Sequence, residues 1–326
     1  MTWRALLKGD PVPWLLERRD AAVRALTLRT ILDRGPRDPE VREAQQRAMA
    51  TPPISTILRS QRANGEWAGP NLSQPKYHGT HWANLMLVEY GVDGTDPRVR
   101  RAARHVLEEL ASPGMGGMGW ALESDHGVSC FTGNVVRYVS LAGYGNDERL
   151  EPLIQRLVRD SKKFDAACAI NGDEPCAWGY ARLLWGLAAL PDPARTREVQ
   201  RTLRRGVEFL LSYRVERGRY PGPFGTSYLW RQLSFPLFYQ ADVLFVLRAL
   251  DAAGALRDDR TQPAIAWLLA RQDARGRHHP TSLGRVYPVT KWPSASSHDR
   301  NVRFHTRRSS PDCFAFSATR WLRHGN

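Results

Sequence analysis

Lysine is nearly missing from this sequence. Only five of its 47 basic residues are lysine, so 42 are arginine, and the formal net charge is +14. Such an arginine excess can follow from codon composition alone, but a basic chain also attracts phosphates, nucleic acid or anionic lipid. No zinc-finger spacing, RNA-stacking signature or helix-turn-helix pattern occurs, so nucleic acid is not an expected partner. Cysteine is scarce as well. Four scattered residues give no disulfide framework, and a reducing cytoplasm is the expected compartment. Apolar runs of about 18 residues are absent, which excludes a spanning helix of the usual kind and leaves peripheral membrane contact open. The opening residues, Met1 to Asp10, lack the apolar stretch of a secretory signal, and none is expected.

What is present is a repeat. Ser60 to Trp67 (Ser-Gln-Arg-Ala-Asn-Gly-Glu-Trp) has the form of a helix end, a glycine turn and an aromatic. Variants follow at Tyr213 to Tyr220 and Arg271 to His278, with a looser one at Met115 to Trp120 and a degenerate one at Phe164 to Cys168. Their ends recur about every 50 residues, a period that signals a repeat architecture. An amphipathic helix precedes most of them, starting at Asp96, Thr196 and Asp258. A more apolar helix follows each, over 80–90, 132–142, 177–189, 237–252 and 314–323. Such a helical hairpin cannot bury its apolar face alone, so the units must stack. Residues 1–50 read as a helical extension, with one helix over 21–32, a break at Gly35-Pro36, and another started by Asp38-Pro39.

The spacing Gln61-x-x-x-Gly65-x-Trp67 resembles the glutamine–tryptophan repeat of squalene and oxidosqualene cyclases, whose fold the protein prenyltransferase β-subunits share. The resemblance covers roughly residues 51–326. Cys130-Phe-Thr-Gly-Asn134 and Pro175-Cys-Ala-Trp178 are similar to segments of bacterial squalene-cyclase-like proteins. It implies an all-α (α/α) toroid of about five hairpins, and an enzyme of the terpenoid-cyclase or prenyltransferase type acting on an isoprenoid or similar apolar small molecule. The Asp-x-Asp-Asp acid motif of the class II cyclases does not occur, and neither does the Asp-x-Cys motif of the prenyltransferases; Asp165 and Cys168 are one residue too far apart. These departures keep a second reading open: a non-catalytic helical-repeat scaffold that binds a protein or lipid.

In a toroid the apolar helices run the same way, so their N-terminal ends gather at one rim. The sequence puts reactive side chains there. Asp242, His81 and Tyr239 are candidates for acid or base work, Asp242 because burial would raise its pKa. Lys76, Tyr77, Trp82, Asn134, Trp178 and Lys291 are candidates for substrate binding. Aromatic rings would line an apolar cavity and stabilise a cation, and helix N-termini beside the lysines would suit a diphosphate. Cys130, Cys168 and Cys176 are the candidate metal ligands, with zinc as the expected cofactor and Asp242 or a histidine completing the set. The competing reading is that the cysteines and rings are ordinary core and that Asp242 bonds a neighbouring helix end. Cys313 reads as core, Asp258-Asp259 as a helix cap, and residues 278–312 as a long irregular loop.

Overall fold

The computed structural model describes residues 3–69, 72–73, 75, 77–111, 129–162, 167–168, 171–172, 174–222 and 226–278. The described residues are mostly helical. Their helices are α1 (Val12–Leu15), α2 (Ala21–Thr30), α3 (Pro39–Ala50), α4 (Ile54–Arg59), α5 (Thr80–Glu89), α6 (Pro97–Ala111), α7 (Ser129–Val139), α8 (Glu151–Lys162), α9 (Ala177–Leu187), α10 (Arg197–Leu211), α11 (Val243–Ala252) and α12 (Gln262–Leu269). One small antiparallel hairpin, β1 (Ala167–Cys168) with β2 (Glu174–Pro175), interrupts them. No described helix is long and apolar enough to cross a membrane.

Helix starts follow the local chemistry of the sequence. Asp20 and Asp38 accept hydrogen bonds from Val23 N and Glu40 N, and Pro39 occupies the first turn of α3. Thr196 caps α10, and Asp258 accepts from Arg260 N, as the cap reading requires. The fourth apolar helix departs from the expected 237–252. It begins only at Val243, because the Asp242 side chain caps it there and Phe235-Pro236 lies in irregular backbone. The fifth apolar helix, at 314–323, lies outside the described residues, as do the motif at Met115 to Trp120, Cys313 and the 279–312 part of the long loop.

The repeat motif is visible as a recurring hydrogen-bond pattern. Trp67 Nε1 donates to Ile57 O (2.8 Å), Tyr220 Oη donates to Leu210 O (2.9 Å), and His278 Nε2 lies 3.1 Å from Leu268 O; each ring reaches back to the carbonyl of the residue ten places earlier. Two residues before each ring stands a glycine with φ of 99°, 64° or 72°, at Gly65, Gly218 and Gly276. That conformation is open to glycine and strained for other residues. Gln61 Nε2 donates to Gly65 O and to Arg98 O of α6. Gln272 Nε2 likewise donates to Gly276 O, while its Oε1 accepts from Lys8 N, so the N-terminal segment docks against the last described motif. Trp14 Nε1 adds a bond to Arg275 O.

Two kinds of helix alternate. α6, α8 and α10 bury one face only; in α10 the buried positions Val199, Thr202, Gly206, Phe209 and Leu210 keep the helical period. α5, α9 and α11 are buried almost all round. α5 packs on α7, α7 on α9, and α9 on α11. Gly133 permits the closest of these approaches, since a Cβ there would stand 2.2 Å from Arg182 O of α9. At the C-terminal ends of these helices, Arg248 of α11 pairs with Glu89 of α5 at 3.0 Å and covers the Trp185 ring of α9, and Arg137 of α7 donates to Trp185 O. One continuous apolar core includes residues from Val12 to Leu268, with a satellite cluster of Ala25, Leu28, Val41 and Ala44 between α2 and α3.

Candidate functional site

The N-terminal ends of the buried helices also meet, and their rings do the meeting. Tyr77, just before α5, lies 5.2 Å from Trp82 and 4.9 Å from Phe238 by ring centroids. Its hydroxyl is 3.4 Å from that of Tyr239. Trp82 stands 6.2 Å from Tyr239, and Trp178 at the start of α9 stands 6.2 Å from the same ring. Tyr77, Trp178 and Tyr239 are half-buried, while Trp82 is buried and donates through Nε1 to Ser73 O at 2.7 Å. Tyr77 has φ of 69°, a conformation rare for a residue with a side chain and most often found at functional or strained sites. The structure thus brings Tyr77, Trp82, Trp178 and Tyr239 together. Lys76 and Lys291 lie outside the described residues.

His81 is fully buried. Its ring stacks on Phe131 at 3.8 Å, and its Nδ1 is 3.5 Å from the Tyr138 hydroxyl. Burial, with the Arg182 charge assisting, lowers its pKa to about 3. The ring is therefore neutral at physiological pH and carries no proton to give there as an imidazolium.

Asp242 is also buried. Its carboxylate accepts from Phe245 N (2.8 Å) as the cap of α11 and from Ser234 N (2.9 Å). Burial raises its pKa to about 6, against the opposing pull of those bonds and of Arg248 and Arg182. Both oxygens are used inside the fold, so the helix-end bond that competed with an acid role is present.

Asn134 spans two elements. Its Nδ2 donates to Phe238 O (2.8 Å) and its Oδ1 accepts from Arg182 (3.2 Å). Arg182 also donates to Gln240 O and lies over the Phe245 ring at 3.7 Å. These bonds tie α7 and α9 to the segment that leads into α11, a bracing role where a substrate contact was expected.

The three candidate metal ligands converge. Cys130 in the first turn of α7, Cys168 in β1 and Cys176 at the N-cap of α9 line one cavity, with Ser129, Asp160, Gly179, Tyr180 and Leu183 completing the wall. The cavity holds about 20 Å³, room for one water molecule or a single ion. Burial pushes the Cys130 thiol up to about 11. The neighbouring Cys168 thiol and burial push Cys176 well above the ordinary thiol range. Among the described residues, no three histidine, cysteine, aspartate or glutamate side chains already stand as a metal-binding group. The donor types nonetheless suit a thiophilic ion: three cysteines and one aspartate line the same small cavity.

That carboxylate was missed from the sequence. Asp160 accepts from the Ser129 hydroxyl at 2.7 Å and from Arg156 Nε at 2.8 Å, and all but a few per cent of Arg156 and Asp160 is buried. A signal did exist. In α8 the pair sits four residues apart among the buried positions Leu153, Ile154, Leu157, Val158 and Ser161, where the helical period calls for apolar side chains. Comparison with protein-family models, with curated proteins and with solved structures finds no match to this chain.

Proposed function

We propose that this chain is an (α/α) toroid of the terpenoid-cyclase and prenyltransferase type, and that it is an enzyme acting on an isoprenoid or similarly apolar small molecule at its aromatic rim. One observation carries the reading. Rings from separate helix starts (Tyr77 and Trp82 before and in α5, Trp178 in α9, Tyr239 ahead of α11) form one cluster, as parallel apolar helices in a ring would require. The α5–α7–α9–α11 packing, returned to α5 by the Glu89–Arg248 pair, supports the same ring. Aromatic faces favour apolar chains and cationic centres. In α5 the His81 N–H is already taken by Leu72 O (2.7 Å), so an anionic head such as a diphosphate would draw on the starts of α7 and α9. Tyr239, half-buried with its hydroxyl 3.4 Å from that of Tyr77, is the group this reading assigns to proton handling, while Asp242, bonded to Phe245 N and Ser234 N, holds the start of α11 beside it.

The test is intrinsic tryptophan fluorescence of the full chain titrated with farnesyl and geranylgeranyl diphosphate, followed by product analysis. Saturable quenching that Trp178→Ala weakens, together with a turned-over product, is the expected result. A folded chain whose emission neither ligand changes would refute the reading. A second reading, a non-catalytic scaffold for a protein or lipid, is favoured by the packing of Trp82, Phe238 and Tyr77 against one another, which leaves little space between those rings. Binding without any product would select it.

A further inference from the structure

The cleft between the starts of α7 and α9 has features that an apolar core does not need. Three thiols reach it from a helix turn, a strand and a helix cap, so no single amphipathic face accounts for their meeting. Its wall also carries a hydroxyl and a carboxylate, Ser129 and Asp160, joined at 2.7 Å and fixed from behind by Arg156. A buried carboxylate is costly unless paired, and Arg156 supplies the pairing. What stays unexplained by packing is why three cysteines, a serine and an aspartate line one space the size of a single ion.

We propose that Cys130, Cys168 and Cys176 form a binding site for one thiophilic divalent ion, zinc by preference, with the Asp160 carboxylate as the fourth donor. Zinc takes thiolate sulfur and carboxylate oxygen as ligands and is almost always four-coordinate in structural sites. Of the fourth donors expected from the sequence, Asp242 or a histidine, Asp242 is spent as the cap of α11 and, among the described residues, no histidine lines the cavity, so Asp160 takes that place. Cys168 and Cys176 are hydrogen-bonded to each other as thiols. Loss of the thiol protons and a small inward movement of the β1–β2 hairpin would set the sulfurs around an ion. Arg156 and Ser129, both bonded to Asp160, would orient that carboxylate as outer partners do at metal sites. The proposal is independent of the apolar-substrate reading, and either can fail alone.

The experiment is a cobalt(II) titration of the full, reduced, chelator-treated chain, read by absorbance. The expected result is thiolate-to-cobalt charge transfer that saturates near about one equivalent and is reversed by zinc. Cys130→Ser and Cys176→Ser should each abolish the band, while Cys313→Ser leaves it unchanged. Zinc should also protect three of the four thiols from a thiol reagent. If a cysteine variant fails to fold, the parent titration and the protection pattern still decide. A folded parent chain with no thiolate–cobalt band would overturn the proposal. Recovery of a Cys168–Cys176 disulfide from metal-free protein with no cobalt uptake after reduction would overturn it too.

Discussion

Replacing Asp242 with asparagine isolates the cost of holding a carboxylate in this core. The side chain is 1% exposed, and its pKa rises from 3.8 to about 6 chiefly through burial. The folded chain therefore keeps a proton here that the unfolded chain has already released between pH about 4 and about 6. The stability linked to that proton is fully present below the unfolded value and is lost as pH rises through about 6. An interval of about two pH units, at about 1.4 kcal/mol each, corresponds to about 3 kcal/mol. Asparagine does not titrate, and its carbonyl still caps Phe245 N. It leaves the Ser234 N–H without its acceptor, at a cost of about 1 kcal/mol at any pH. Asp242→Asn should then be less stable than the parent by about 1 kcal/mol near pH 4 and more stable by about 2 kcal/mol near pH 7.5. Denaturant titrations followed by far-UV circular dichroism at the two pH values measure both differences. A stability gap that does not change with pH would refute the reasoning, because the carboxylate would then ionise as freely in the fold as outside it.

Other consequences follow from the repeat and the helix contacts. Gly65→Ala should destabilise more than Gly254→Ala. Both have positive φ, but a Cβ at Gly65 would stand 2.7 Å from Arg101 O, whereas Gly254 has nothing within 4 Å. Gly254→Ala should cost about 1 kcal/mol and Gly65→Ala at least about 1 kcal/mol more by thermal unfolding; equal losses would mean the close approach carries no weight. Trp67→Phe keeps a buried ring and removes the bond to Ile57 O, so a loss of about 1–3 kcal/mol is expected, and an unchanged melting temperature would count against the ring-to-carbonyl bond as a fixture of the repeat. Gly133→Ala should force α7 and α9 apart at a cost of about 1–3 kcal/mol or more in the same assay, because the atom it meets, Arg182 O, is backbone; an unchanged melting temperature would refute the close approach.

The sequence by itself determined the local grammar of this protein. The Gln-x-x-x-Gly-x-Trp spacing at residues 61–67, and its echoes ending at Tyr220 and His278, specified a helix end and a glycine turn, because glycine adopts a left-handed backbone at the least cost and its position is written in the chain. The alternation of helices polar on one face with helices apolar all round was legible for the same reason: burial imposes a 3.6-residue period on the first kind and removes it from the second. Aspartates ahead of helices could be read as caps. The meeting of Tyr77, Trp82, Trp178 and Tyr239, and of three thiols, was legible only as a consequence of assuming that equivalent positions of successive repeats become neighbours.

Tertiary structure decided what each of those groups is free to do. Asp242 carries the same side chain in the sequence whether it is an exposed acid or a buried cap, and only its bonds to Phe245 and Ser234 separate the two. His81 is neutral because aromatic neighbours exclude water from it. Asn134 is engaged because Arg182, 48 positions later, arrives at its oxygen. Asp160 was overlooked because a helical Arg-x-x-x-Asp pair normally lies in solvent, and its place in the same cavity wall as the cysteines depends on how α8 packs against α7 and α10. Spacing along a chain fixes periodicity and caps, which are local. Solvent exposure and the partners of a charge depend on residues far away in sequence, and these set the chemistry of the site.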